Sequence, residues 1–222
     1  MIFNFIYMYI LCQLICGYDI LLLLCNKYYY NNSINISKLF NVKFTGDNYK
    51  NIDKTTKAVL INHVSFADFF IDNCVLQGHG CYLSRWIIFI IMPFSSILSL
   101  LANQIYFFKR GNNKLSQLHN IVHTICNKNN RILIVYPEGT RNKTLTPIPL
   151  KLGMIKALYD KKIPLQIINI NNKHHVINEK TIQYNKNVTC NVIISQQLDP
   201  ALFDTFDNFT TKICEIWINI FQ

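Results

Sequence analysis

The chain has 222 residues, enough for one domain with a sizeable core; half are hydrophobic and only 15% are charged. The formal charge of +10 is spread thinly, with no run of five or six basic residues, which excludes a nucleic-acid-binding arm and suits an anionic membrane surface or phosphorylated substrates. A mean hydropathy of +0.16 is high for a soluble protein and too low for one with many membrane spans.

In chain order, the first 26 residues come first, carrying one charged side chain, Asp19. About 20 apolar residues cross a hydrocarbon core, so the segment is long enough. Asp19 at mid-membrane costs up to about 3 kcal/mol. A full span, a segment lying in the interface and a hairpin dipping into one leaflet are all compatible with this pattern. No basic stretch precedes the apolar run and no small-x-small cleavage site stands out, which argues against a signal peptide. Lys27, Lys38, Lys43 and Lys50 follow, and by the positive-inside rule they hold the downstream domain on the cytoplasmic side.

Strands are expected over 41–46 and 58–62, then a helix over 65–77 with Ser65 as its N-cap. Short strands at 81–84 and 105–108 flank an uncharged stretch, Trp86 to Ala102, that Pro93 must break or kink. That stretch is either a buried helix pair or a surface for lipid and acyl chains. A helix over 114–129 and a buried strand over 131–136 follow, then a long loop from Pro137 to Leu150. The remaining expectations are a helix at 154–161, a strand at 164–170, two further strand-like runs ending near Ser195, and a last amphipathic helix through Phe206, Phe209, Ile213, Ile216, Trp217 and Ile220. Strands alternating with helices predict an α/β fold: a single domain over 41–222 with a mixed, largely parallel sheet flanked by helices, preceded by the hydrophobic membrane segment 1–26. Cys12, Cys16, Cys25, Cys74, Cys81, Cys126, Cys190 and Cys214 form no C-x-x-C pair and read as reduced thiols of a cytosol-facing domain.

Three polar clusters punctuate this pattern. In INHVSFADFF, His63 and Asp68 lie five positions apart. On one helix they would stand roughly 140° apart, so the interval fits a histidine in the turn leaving a strand and an aspartate on the first turn of the next helix. In IYFFKRGNN, a strand delivers Arg110 at its end. In YPEGTRNK, a strand feeds Glu138, Gly139, Thr140 and Arg141 to the carboxyl end of a sheet, where open α/β sheets bind ligands. Any one of these alone reads as a solvated loop.

Together they resemble the conserved blocks of the glycerolipid acyltransferases, the family of the 1-acylglycerol-3-phosphate and glycerol-3-phosphate enzymes. Asn62-His63-x4-Asp68, Ile105 to Arg110 and Tyr136 to Arg141 match the first three blocks in order. Pro149 to Gly153 resembles the segment after the third, and Ile163-Pro164-Leu165 begins like the fourth. Gln104 stands where the second block often begins with glycine, and Ile167 where the fourth usually carries a second proline. The resemblance implies transfer of a fatty acyl group from acyl-CoA, a co-substrate thioester, to the hydroxyl of a lysophospholipid, most of all 1-acylglycerol-3-phosphate. Glycerol-3-phosphate and other lysophospholipids are the alternative acceptors. An alcohol needs a base to take its proton, a task that fits His63, with Asp68 fixing the tautomer and stabilising the imidazolium. Arg110, Arg141, Lys151 and the backbone around Gly139 and Thr140 would bind the acceptor phosphate, with Glu138 orienting that loop or binding a glycerol hydroxyl. Membrane lipid is the implied partner; no cofactor, metal or nucleic acid is called for.

Two other classes stand against the transferase: a lipid-binding protein without turnover, and a lipid hydrolase using the same histidine on water. His119 and His123 are spaced i, i+4 but lack a third ligand, so they read as a helix face. His174 and His175 are expected to begin a strand. The sequon Asn142-Lys143-Thr144 carries no weight in so asparagine-rich a chain.

Overall fold

The computed structural model describes residues 2–24, 32–46, 52–108, 115–142, 144, 146–178 and 181–221. In chain order the elements are α1 (Ile2–Leu24), α2 (Asn32–Leu39), β1 (Lys43–Thr45), β2 (Ala58–Ile61), α3 (Asp68–Val75), β3 (Gly80–Ser84), α4 (Ile87–Ile91), α5 (Pro93–Leu101) and β4 (Ile105–Phe107). Then come α6 (Leu115–Val122), which widens into a π-helical turn over His123–Lys128, β5 (Ile132–Val135), α7 (Leu152–Asp160) and β6 (Leu165–Ile170). The chain ends with α8 (Lys173–Val176), β7 (Ile177–Asn178), β8 (Gln183–Tyr184), β9 (Thr189–Ile194), a 3-10 turn (Pro200–Leu202) and α9 (Phe206–Phe221). They fall into two compact units: residues 1–43, 65–109 and 172–190, and residues 44–64, 110–171 and 191–222.

The second unit is built on wholly buried, mainly apolar strands. Ala-Val-Leu-Ile of β2 is buried at every position, as is the whole of β6. Such runs fit strands covered on both faces, as in parallel sheets. Accordingly, β2 pairs in parallel with β5 on one side, Leu60 opposite Val135, and with β6 on the other, Leu60 opposite Ile167. β9 closes this arrangement antiparallel to β6, which makes the sheet mixed but mostly parallel. Helices α6 and α7 pack together, and α9 covers β6 and α7 with Phe209, Ile213 and Trp217, three buried side chains at i, i+4 and i+8.

The first unit holds the parallel pair β3–β4, the hairpin β7–β8 and the apolar helices. Pro93 divides the uncharged stretch as its ring requires: Met92 breaks the path and Pro93 takes the first position of α5. Helix α1 packs along α5 and α2. Its polar side chains turn inward to meet α5: Gln13 Nε2 donates to Ser95 Oγ at 2.9 Å, and Gln13 Oε1 accepts from Phe94 N at 3.2 Å. Tyr9 hydroxyl donates to the Ile91 carbonyl. The opposite stripe of α1, Tyr7, Ile10, Leu14, Tyr18 and Leu21, is exposed, and residues 4–22 are long and apolar enough to cross a membrane.

Two local expectations are corrected. Helix α3 begins at Asp68, and Ser65 stands three residues ahead of it. Ser65 Oγ accepts from Ala67 N at 3.0 Å while the Asp68 carboxylate reaches back to Ser65 N at 3.2 Å, so the serine sets the entry turn rather than capping the helix proper. His174 and His175 lie in the single helical turn α8, and the strand begins only at Ile177.

Candidate active site

Within the second unit, adjacent parallel strands bring two of the sequence clusters to the same sheet end. β2 ends at Ile61 and β5 at Val135, so Asn62-His63 and the loop from Tyr136 leave from neighbouring carboxyl ends. Asn62 fixes the first of these. Its Nδ2 donates to the Ile170 carbonyl at 3.0 Å and its Oδ1 accepts from Ile170 N at 2.9 Å, which continues the β2–β6 pairing one residue beyond the strand. His63 follows, half-buried, with its ring stacked on Tyr136 at 4.2 Å between centroids and 18° between planes.

The Tyr136–Arg141 loop is tied to the histidine through its backbone. Buried Glu138 accepts from His63 N at 3.4 Å with Oε2 and from Asn142 Nδ2 at 3.3 Å with Oε1. Asn142 N donates to the His63 carbonyl at 2.6 Å. The Asn142 side chain also donates to the Thr146 carbonyl at 2.7 Å and accepts from Thr144 N and Thr144 Oγ1 at 3.1 and 2.8 Å. At 3% exposure, this asparagine is a structural hub of the loop, and its sequon is unreachable in the folded chain.

Gly139 is required where it stands. Pro137 starts a tight turn closed by Gly139 N donating to the Tyr136 carbonyl at 3.0 Å, and Gly139 then takes φ +70°. A Cβ there would also lie 2.9 Å from Lys151 Cγ, because the lysine stem crosses over the glycine. Lys151 N donates to the Pro137 carbonyl at 2.6 Å, which brings the start of α7 back to this turn. The loop thus gathers Glu138, Gly139, Thr140, Arg141 and Lys151 in one unit with His63. Thr140 and Lys151 are exposed and Arg141 is half-buried. Arg110 lies outside the described residues.

Asp68 belongs to the first unit. One carboxylate oxygen accepts from Ser65 N, and the other lies 3.3 Å from the Lys173 ammonium, which also reaches Asp72 Oδ1 at 2.8 Å. The same unit contains an apolar cavity of about 180 Å³ whose walls include Phe40, Phe66, Phe69, Phe70, Tyr82 and Met92. Three of these phenylalanines flank Asp68 in sequence.

The sequence profile of the acyltransferase family matches residues 41–171, a span holding His63, Asp68, the Tyr136–Arg141 loop and Lys151. The chain belongs to the acyltransferase family. Among curated proteins it is 28% identical over 149 residues to the 1-acyl-sn-glycerol-3-phosphate acyltransferase of Saccharomyces cerevisiae, a match covering 65% of this chain and 48% of that protein. The chain thus spans about half the length of that relative. Among solved structures it shares its fold with the 1-acyl-sn-glycerophosphate acyltransferase PlsC of Thermotoga maritima. The TM-score is 0.71 at 15% identity, over 98% of this chain and 92% of that one.

The two departures from the family blocks have local causes. Gln104 is buried and its Nε2 donates to the Gly78 carbonyl at 2.8 Å, a bond that glycine could not make. Ile167 N donates to Ser195 Oγ at 2.9 Å, so a proline there would leave that hydroxyl without its donor. Sequence reasoning missed Tyr136 as the stacking partner of His63, Asn142 as the loop hub and Lys173 as the partner of Asp68. Tyr136 opens the recognised block and Asn142 follows it; Lys173 left no local signal.

Proposed function

We propose that this acyltransferase moves a fatty acyl group from acyl-CoA to the free hydroxyl of 1-acylglycerol-3-phosphate, giving phosphatidic acid. The observation that carries this reading is the backbone clasp between His63 and the Glu138–Asn142 loop, which supports a base and an acceptor-binding loop held at one sheet end. His63 takes the hydroxyl proton as the acceptor oxygen attacks the thioester carbonyl. The C–O bond forms, the C–S bond breaks, and the imidazolium returns its proton to the departing thiolate. Asp68 fixes the imidazole tautomer and stabilises its charged form. The donors of Arg141, with Arg110, Lys151 and the Gly139–Thr140 backbone, take the acceptor phosphate. The apolar cavity receives acyl chain, and the exposed stripe of α1 supports seating on the membrane with the catalytic residues on the cytoplasmic side.

Thioester consumption measured with and without lysophosphatidate tests the reading. Consumption that requires the acceptor and yields phosphatidic acid supports it. Release of free fatty acid without acceptor makes the protein a hydrolase, and no consumption in either arm leaves a lipid-binding protein.

A further inference from the structure

Three charged side chains of the first unit are almost wholly buried. Lys173 is 0% exposed, Asp72 0% and Asp68 1%. Lys173 opens α8, one turn of helix, yet its ammonium crosses to α3 and meets both aspartates, at 2.8 Å to Asp72 and 3.3 Å to Asp68. The α8 backbone is tied to the same place, since Ser65 Oγ donates to the Lys173 carbonyl at 3.4 Å. Desolvating three charges is costly, and an apolar trio would pack as well, so their retention asks for a reason. One aspartate already neutralises the lysine; the second is the Asp68 of the His63-x4-Asp68 block.

We propose that Lys173 is a positioning residue that holds the Asp68 carboxylate ionised and fixed in direction, so that it can serve the imidazole of His63. Asp72 is the counter-charge that allows a lysine to be buried there at all. The inference rests on the reading of His63 as base. Among the described residues, Tyr82 of β3 and Cys190 of β9 are the other titratable groups that face the trio. Burial pushes the Tyr82 phenol well above its ordinary range and the Cys190 thiol up to about 12, so both stay neutral. The Tyr82 hydroxyl donates to the Phe69 carbonyl. Burial by itself would drive the Lys173 ammonium down, but the two carboxylates outweigh it and raise it above its ordinary value. Without that cation, burial favours the protonated form of Asp68, which can neither orient nor stabilise an imidazolium.

Lys173→Met alone leaves two buried carboxylates facing each other and risks unfolding, so the main test is Lys173→Met combined with Asp72→Asn, which removes one charge of each sign. With acceptor-dependent transfer first established in the wild type, kcat and KM are measured from pH 6 to 9.5 for wild type, Asp72→Asn, Lys173→Arg and the double variant. The expected result is a folded double variant with kcat about tenfold or more lower at pH 7, an acidic limb displaced to higher pH, recovery toward pH 9 and little change in KM. Lys173→Arg keeps the wild-type limb. A folded double variant with the wild-type pH profile, or one slowed by the same factor at every pH, overturns the assignment. So does a double variant that does not fold while Lys173→Arg does, because the lysine then serves the fold alone. Failure of the underlying reading shows separately, as wild-type protein without acceptor-dependent transfer.

Discussion

His63 is held from three directions, by Asn62 behind it, by the Tyr136 ring against it and by the Asn142–Glu138 loop across its backbone. Asn142 is the member whose loss is simplest to read. Asn142→Ala leaves Glu138, Thr144 and Thr146 short of partners, so stability should fall by about 1–3 kcal/mol in urea unfolding. Activity should fall with it, since the loop is then free to leave the histidine. A variant with wild-type stability and wild-type turnover would show that the hub is dispensable. Arg141 bears on the acceptor rather than on the fold. A hydrogen bond to a charged group is worth about 1.5–3 kcal/mol, so Arg141→Ala should raise the acceptor KM roughly ten- to a hundredfold and erase a preference for lysophosphatidate over lysophosphatidylcholine. Equal rates on both acceptors in the wild type, unchanged in the variant, would mean that this arginine does not read phosphate.

Among the elements, the strands were legible because short, mainly apolar runs such as AVLI, ILIV and LQIINI are bounded by polar or turn-forming residues and are too short for a core helix. Pro93 announced the break between α4 and α5 by its ring alone. What was not legible lacked periodicity. The polar octet NSINISKL of α2 has no apolar face to mark it, and the four residues of α8 are too few to show any period. Lys173 sits in INNKHH, a run that looks solvated, and its aspartate partners lie about a hundred residues away in sequence. The His63 and Glu138 blocks were readable through their joint resemblance to the acyltransferase family; the contacts that hold them were not, because pairing across β2 and β5 is a tertiary fact. Ile167 lends itself to a test at this scale. Ile167→Pro removes the donor to Ser195 Oγ and should cost about 1–3 kcal/mol, measured by chemical denaturation. An unchanged midpoint would show that the strand tolerates the proline common elsewhere in the family.

For the molecule as a whole, two properties extend beyond single elements. Helix α1 shows an apolar stripe outward, fit for a membrane, and packs Gln13 and Cys16 on Ser95 of α5, so it is also part of its unit. Replacing Ile10, Leu14 and Leu21 with serine should therefore release the protein from membranes on carbonate extraction while leaving its melting temperature nearly unchanged. Full release of the wild type would contradict the membrane role. The second property is the response to alkali. Because Lys173 is raised in the folded state, its contribution to stability is complete below the ordinary lysine range, and it is lost as pH rises through the raised folded value. Stability measured from pH 10 to 12 should therefore fall less steeply in the Lys173→Met, Asp72→Asn double variant than in the wild type; parallel curves over that range would contradict this.

The central claim is that His63 is the base for acyl transfer to a lysophospholipid hydroxyl. Its most direct measurement is lysophosphatidate-dependent release of CoA by His63→Ala, with circular dichroism to confirm that the variant is folded. A general base contributes about 10²- to 10⁴-fold, so kcat should fall by at least a hundredfold with the melting temperature preserved. A folded variant retaining more than about a tenth of wild-type turnover would contradict the account.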